Sequence, residues 1–162
     1  MLHDLGHYPY AHSLKELDVE SHESLTSKRI CEDDFCLIIK EDLGVDPHLV
    51  AAIIDSNLEY RGSEDVVFFR NLLSGVLDPD KLDYLNRDAY FCGVPYGIQD
   101  VDFVLNEIVP YSSTGLAITW KGLSAVESIL FSKYLMYRTV YWHKAVRIAT
   151  AMIKKAILMG LS

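Results

Sequence analysis

Leu77-Asp78-Pro79-Asp80-Lys81-Leu82-Asp83-Tyr84-Leu85-Asn86-Arg87-Asp88-Ala89-Tyr90 reads as a helix throughout. Asp78 is a residue type that caps helix N-termini, and Pro79 fits the first turn, where a missing N–H costs nothing. Leu82, Leu85, Ala89 and Tyr90 recur at helical spacing as an apolar stripe, and Gly93 with Pro95 ends the run. Asp80, Asp83, Tyr84, Arg87 and Asp88 stand at i, i+3, i+4, i+7 and i+8, which gives a continuous polar face. That face is either a solvated surface with a carboxylate at the favourable end of the helix dipole, or the carrier of a buried carboxylate for a metal site.

Working outward, helical signals continue in both directions. Ser21, Ser24 and Thr26 open a segment running to about Cys31, and Asp33-Asp34 caps another through Glu41. Asp46-Pro47 starts a helix through Leu49, Ile53 and Ile54; Val66, Phe69, Leu72 and Leu73 share a helical face over 65–74, and 100–108 is a short helix. Between Pro110 and Trp120 the pattern changes. Ile118 and Trp120 flank Thr119, and Ser112-Ser113-Thr114-Gly115 is turn chemistry, so a β-hairpin is expected over 110–121. From Leu123 to Leu158 there is neither proline nor glycine, which predicts one long helix or two nearly continuous ones. The expected fold is mainly α, with a small hairpin and a long C-terminal helix.

The chain has 162 residues, half of them apolar, enough for one domain with a core. Cys31, Cys36 and Cys92 form no C-x-x-C pair, and the odd count points to free thiols in a reducing compartment. No apolar run approaches the ~20 residues of a membrane span, and charge interrupts any signal peptide, so a cytoplasmic location without membrane is expected. Residues 1–120 carry 8 Lys/Arg against 22 Asp/Glu, a net −14, whereas 121–162 carry 7 against the single Glu127, a net +6. An acidic body makes nucleic acid an unlikely partner. The basic tail suits a solvated helix face or a grip on a small anion.

Four of the six histidines fall in the first 22 residues. The text is His3-Asp4-Leu5-Gly6-His7-Tyr8-Pro9-Tyr10-Ala11-His12, followed by Ser21-His22-Glu23. Imidazole and carboxylate together suit borderline divalent metals. Adjacent His and Asp point about 100° apart on a regular helix, so they share an ion only near a helix end, which Gly6 supplies. On the late helix, Lys133, Tyr137, Tyr141 and Lys144 stand at i, i+4, i+8 and i+11, one narrow face of ammonium and phenol groups. They fit phosphates and a base or sugar, or else cover apolar surface by snorkelling.

Together these stretches resemble the HD-domain phosphohydrolases, in particular the branch of deoxynucleoside triphosphate triphosphohydrolases. His3-Asp4 matches the central metal pair within His-Asp-x-Gly-His-x-Pro-Phe-x-His, with Tyr10 in place of phenylalanine. Asp80 matches the last metal aspartate, His22-Glu23 a downstream His-Glu, and Tyr141-Trp142-His143-Lys144 the Tyr-x-His-Lys of the substrate helix.

The resemblance implies a partial HD domain over 1–162, with metal-site helices in 1–109, the hairpin in 110–121 and a substrate-side helix in 122–162. It implies His3, Asp4 and Asp80 as ligands of a divalent ion (Mn, Fe, Mg, Zn or Ni). His7 and His12 face the scissile phosphate, with His22 and Glu23 tuning the acid. Lys81, Lys133 and Lys144 are phosphate contacts, Tyr84, Tyr137 and Tyr141 contact sugar or base, and Asp88 binds the sugar hydroxyl or holds Arg87. The family's first metal histidine lies some tens of residues before His-Asp, where this chain has nothing, so a truncated domain with three of four ligands is expected.

The implied activity is hydrolysis of phosphate bonds in a nucleotide, most simply a nucleoside triphosphate. The alternatives are a phosphodiesterase or 5′-nucleotidase, or a catalytically incompetent module that binds nucleotide or a partner. The branch assembles into dimers or larger homo-oligomers, and the aromatic segment Tyr134–Tyr141 is surface for another copy, or for the preceding part of the domain, to cover.

Overall fold

Helical periodicity is realised along most of the chain. The computed structural model describes residues 2–14, 16–17, 19–32, 34–60, 64–112 and 115–161. They form two compact units: residues 1–70 with 150–162, and residues 71–149. Among the described residues no helix is long and apolar enough to cross a membrane.

The first unit begins with a 3-10 turn, Leu2–Asp4, followed by α1 (Ala11–Leu14) and α2 (His22–Glu32). The Ser21 hydroxyl accepts from the Ser24 amide at 3.1 Å and so starts α2. Helix α3 (Asp34–Leu37) continues into a π-helical turn, Ile38–Asp42. The expected cap at Asp33 lies outside the described residues. Asp46 caps α4 (Pro47–Ile54), accepting from the His48 amide, and α5 (Glu64–Ser74) follows. Ile30, Ile39 and Ala51 form the core, lined by Leu2, Leu5, Val50 and Ile54. Arg70 donates to the carbonyls of Ala52 (2.7 Å), Asp55 (3.2 Å) and Leu58 (2.7 Å), placing a cation where α4 leaves acceptors unpaired.

The second unit is built on α6 (Pro79–Cys92), capped by Asp78 and closed by Gly93 in the left-handed conformation, φ 65°. Leu82, Leu85 and Ala89 are buried against Val104, Ile129 and Met136. Tyr90 corrects the expected stripe: it is 76% exposed. It lies about 110° around the helix from the centre of the other three, beyond the face that packs. Phe69 is likewise exposed whereas Val66 is buried. Gly97 has φ 105°, and a Cβ there would stand 2.9 Å from Ala89 Cβ, so only glycine lets this strand of chain cross α6.

Helix α7 (Val101–Glu107) leads directly into the hairpin, β1 (Ile108–Ser112) and β2 (Gly115–Ile118). The strands are antiparallel, with Ile108 opposite Ile118 and an irregularity between Pro110 and Ser112. The hairpin thus starts two residues earlier than expected, because Ile108 already pairs; Ser113 and Thr114 of its turn lie outside the described residues. Helix α8 (Leu123–Met136) passes into a second π turn, Tyr137–Tyr141, and α9 (Lys144–Leu161) follows. The predicted long helix is therefore two nearly continuous ones.

Candidate functional site

In the first unit, the histidine-rich loop is tied to α2 by one threonine. Thr26 is fully buried; its hydroxyl oxygen accepts from the Gly6 amide at 2.7 Å and donates to the His3 carbonyl at 3.0 Å. Gly6 permits the approach, since a Cβ there would sit 2.5 Å from the His22 carbonyl oxygen and the Thr26 nitrogen. The 3-10 turn carrying His3 and Asp4 is thereby laid over the first turn of α2, which carries His22 and Glu23. Tyr10 then reverses the chain. Its φ of 62° is the only positive value at a non-glycine among the described residues, and its carbonyl accepts from Ser13 and Leu14 at 2.8 and 3.0 Å to start α1. A left-handed tyrosine costs about 1–2 kcal/mol. The consequence is that His12 returns to the cluster.

Three imidazoles meet there. Ring centroids are 4.7 Å apart for His7–His12, 4.6 Å for His7–His22 and 5.8 Å for His12–His22. The Asp4 carboxylate faces two histidines through different oxygens: Oδ2 is 3.3 Å from His3 Nε2, and Oδ1 is 4.0 Å from His7 Nε2. Glu23 Oε2 is 3.3 Å from His22 Nδ1. Burial lowers the pKa of His22 first, with Glu23 opposing, His7 and His12 lowering it and Asp4 raising it. His22 thus leans towards the neutral form, whose unprotonated nitrogen is a base or a ligand.

The donor set fits a divalent metal. Two ligand atoms on one ion with bonds near 2.1 Å stand about 3 Å apart when adjacent, close to the His3–Asp4 separation. Among the described residues, His3 Nδ1 is buried without a hydrogen-bond partner.

In the second unit, Asp80 lies in the first turn of α6 and is exposed. The Lys81 ammonium donates to the Gly75 carbonyl at 2.7 Å and pairs with Asp78. It serves the helix N-terminus, and a phosphate would have to compete with Asp78 for it. Tyr84, Tyr137 and Tyr141 form a second aromatic group, with Tyr84–Tyr141 centroids 6.1 Å apart and Tyr137–Tyr141 5.2 Å. The Tyr141 hydroxyl donates to Asp88 Oδ2 at 2.7 Å, while Arg87 pairs chiefly with Asp83 at 2.5 Å. Lys133 Nζ lies 5.8 Å from the Tyr137 ring centroid.

Burial, then the charges of Tyr137, Asp78, Asp80 and Asp88, push the Tyr84 phenol up to about 12. Burial and the Asp88 hydrogen bond raise Tyr141 further. Both phenols are therefore hydrogen-bond donors near neutral pH. Lys144 does not continue this group's helical spacing. The expected stripe assumed an unbroken α-helix, whereas a π turn and a bend at Trp142-His143 separate Tyr141 from Lys144, the first residue of α9.

Sequence reasoning missed the roles of Thr26 and Tyr10. A threonine four residues before the buried Ile30 on one helix face was the available signal for the first; nothing marks a left-handed tyrosine in advance.

Residues 100–162 match the family model described as the HD associated region. The chain is 35% identical over 161 residues to protein MJ1154 of Methanocaldococcus jannaschii, covering 98% of this chain and 32% of that protein. Among solved structures, a hypothetical protein from Aquifex aeolicus aligns with TM-score 0.79 at 33% identity, over 96% of this chain and 42% of that one. A phosphohydrolase, BT4208, from Bacteroides thetaiotaomicron aligns with TM-score 0.71 at 28% identity, over 94% and 35%. The chain spans about a third of the length of the curated relatives it matches.

Proposed function

We propose that this chain carries the metal-binding and substrate-facing residues of an HD-type phosphohydrolase that cleaves nucleotides, most simply a triphosphohydrolase of (deoxy)nucleoside triphosphates. The observation that carries the reading is the gathering of His3, Asp4, His7, His12, His22 and Glu23 within one folded unit, four imidazoles and two carboxylates on one loop and one helix turn. Similarity to a phosphohydrolase supports it. His3 and Asp4 hold the divalent ion, and the order of the motifs adds Asp80 to them by resemblance.

The bound metal supplies Lewis acidity and a water of lowered pKa. The chain's own residues supply the rest. His12, carried back by Tyr10, is positioned to protonate the leaving oxygen, and His7 and His22 fix its place by ring contact. Tyr84 donates its hydroxyl proton to sugar or base, Tyr141, whose proton goes to Asp88 Oδ2, contacts the base or sugar through its ring and hydroxyl oxygen, and Asp88 Oδ1, 3.9 Å from Arg87 Nε, takes a sugar hydroxyl. Lys133 and Lys144 offer charge to phosphates. Homo-oligomers form through the late aromatic surface, where exposed Phe131 and Tyr134 stack with centroids 6.3 Å apart.

The test is metal analysis of the purified protein together with product analysis on a panel of nucleotides. Release of triphosphate supports the leading reading; orthophosphate or phosphodiester cleavage moves it to another HD activity. Asp4→Ala is expected to lose both metal and turnover, and undiminished turnover in that variant defeats the assignment.

A further inference from the structure

The last turn of α2 carries Cys31, and the first turn of α4 carries His48. Their side chains meet, with Cys31 Sγ 3.6 Å from His48 Nδ1. Asp46 holds His48 in place: its Oδ1 accepts from the His48 amide at 3.0 Å, and its Oδ2 accepts from the Tyr60 hydroxyl at 3.0 Å. Beside this pair, Cys36 lines a groove of 310 Å³ together with Lys40, Asp46 and His48. From this juxtaposition we infer a thiolate metal site in the first unit, where Cys31, Cys36 and His48 hold Zn²⁺ or a similarly soft divalent ion and the groove leaves a fourth position to water.

Zn–S bonds of about 2.3 Å and Zn–N bonds of about 2.05 Å at a tetrahedral angle set sulfur and nitrogen about 3.6 Å apart. Cys31 and His48 already stand at that separation. A thiol donating to an imidazole has a similar length, so the distance is joined by the second thiol and by the spacing. Cys31-x4-Cys36 falls within the C-x2–4-C chelating range of structural zinc sites, and His48 follows after eleven residues. Burial raises the Cys31 pKa first, and the charges of Cys36, Asp46 and Glu32 raise it further. Three acidic groups thus face this sulfur, a field that a cation relieves. The carbonyl end of α2 favours a cation as well. Both Asp46 oxygens are engaged by the cap and Tyr60, so Cys36 is the ligand that the ion draws in. Binding expels two thiol protons, and two thiolates cancel the charge of a divalent ion, so Lys40 faces a neutral centre. Cys31 is nine residues along α2 from His22, about 14 Å. The ion's role there is to tie α2 to α4, apart from any chemistry at His3 and Asp4.

Titration of the reduced full chain with Co²⁺ reads the site by absorption, because thiolate-to-cobalt charge transfer in the near ultraviolet requires a sulfur ligand. The band is expected in the unaltered chain, and Zn²⁺ should displace it. Cys31→Ser and Cys36→Ser should each lose part of the band, and the double variant all of it, whereas Cys92→Ser should keep it whole. His48→Gln should weaken Co²⁺ binding by more than the about 10–100-fold that loss of an outer partner costs. Asp4→Ala should leave the band intact, which separates this site from the proposed function. Circular dichroism of each variant reports whether it folds, and His48→Gln, at an exposed position, keeps the test open if a cysteine variant does not. Absence of the band at saturating Co²⁺, a full band in Cys36→Ser, or unchanged Co²⁺ affinity in His48→Gln overturns the site.

Discussion

Replacing Thr26 by valine keeps the shape of the side chain and removes only its hydroxyl. That hydroxyl makes two bonds, from the Gly6 amide at 2.7 Å and to the His3 carbonyl at 3.0 Å. A typical hydrogen bond contributes about 1 kcal/mol net, and a buried group left unpaired adds a penalty of about 1–3 kcal/mol. The expected loss for Thr26→Val is therefore about 3–5 kcal/mol, felt in the first unit. Thr26→Ser keeps both bonds and deletes one methyl group, so it should cost about 1 kcal/mol. Trp120 and Trp142 belong to the second unit, so tryptophan fluorescence would miss the effect. Amide exchange at Gly6 is the direct assay, and 2 kcal/mol corresponds to about 30-fold faster exchange. Metal affinity should fall in the same variant, because His3 and Asp4 lose their anchor. If Thr26→Val leaves Gly6 exchange unchanged and stability within about 0.5 kcal/mol, the threonine does not hold the loop and the reasoning fails.

Gly6→Ala should be worse than Thr26→Val, since its methyl group meets backbone at 2.5 Å; a thermal melt that is unshifted would contradict the close packing. Asp78→Ala removes the N-cap of α6 and should cost about 1–2 kcal/mol in urea unfolding, with little further loss when Lys81 is also replaced. Tyr84 and Tyr141 have raised pKa values in the folded state. An unfolded tyrosine titrates near 10, so between pH about 10 and 12 the folded chain binds more protons than the unfolded one. The stability these phenols contribute is complete below that window and is lost as pH rises through it. The urea midpoint should drop between pH 9 and 11.5, and by less in Tyr84→Phe. An equal drop in that variant would remove Tyr84 from the account.

Much of the fold was legible because its signals are local. Asp46-Pro47, Asp78-Pro79 and Gly93 act through capping geometry that needs no tertiary partner. The hairpin announced itself by turn residues and a change of period. Tyr90, Phe69 and Lys144 were misplaced for one reason: a helical wheel gives direction around a cylinder, but neither the width of the neighbour that packs on it nor the point where the turn changes pitch. For the site, residue types and spacing disclosed His3, Asp4, His7, His12 and His22 as candidates. Their mutual geometry was hidden because it depends on Thr26 and Tyr10, whose roles arise from contacts 20 residues apart and from a backbone conformation that tyrosine rarely adopts.

The π turn at Tyr137–Tyr141 has a bearing on how relatives should be compared. A π turn holds one residue more than the α turn it replaces. Deleting Thr139 would let the backbone return to regular α geometry, and everything from Val140 onward would keep nearly its direction relative to Met136, because the π turn closes the same rotation with one residue more. Tyr141 would still face Asp88. In this stretch a single alignment gap therefore changes less than a substitution of Tyr141 would. A relative that keeps the aromatic residues but lacks the extra one should be grouped with this chain.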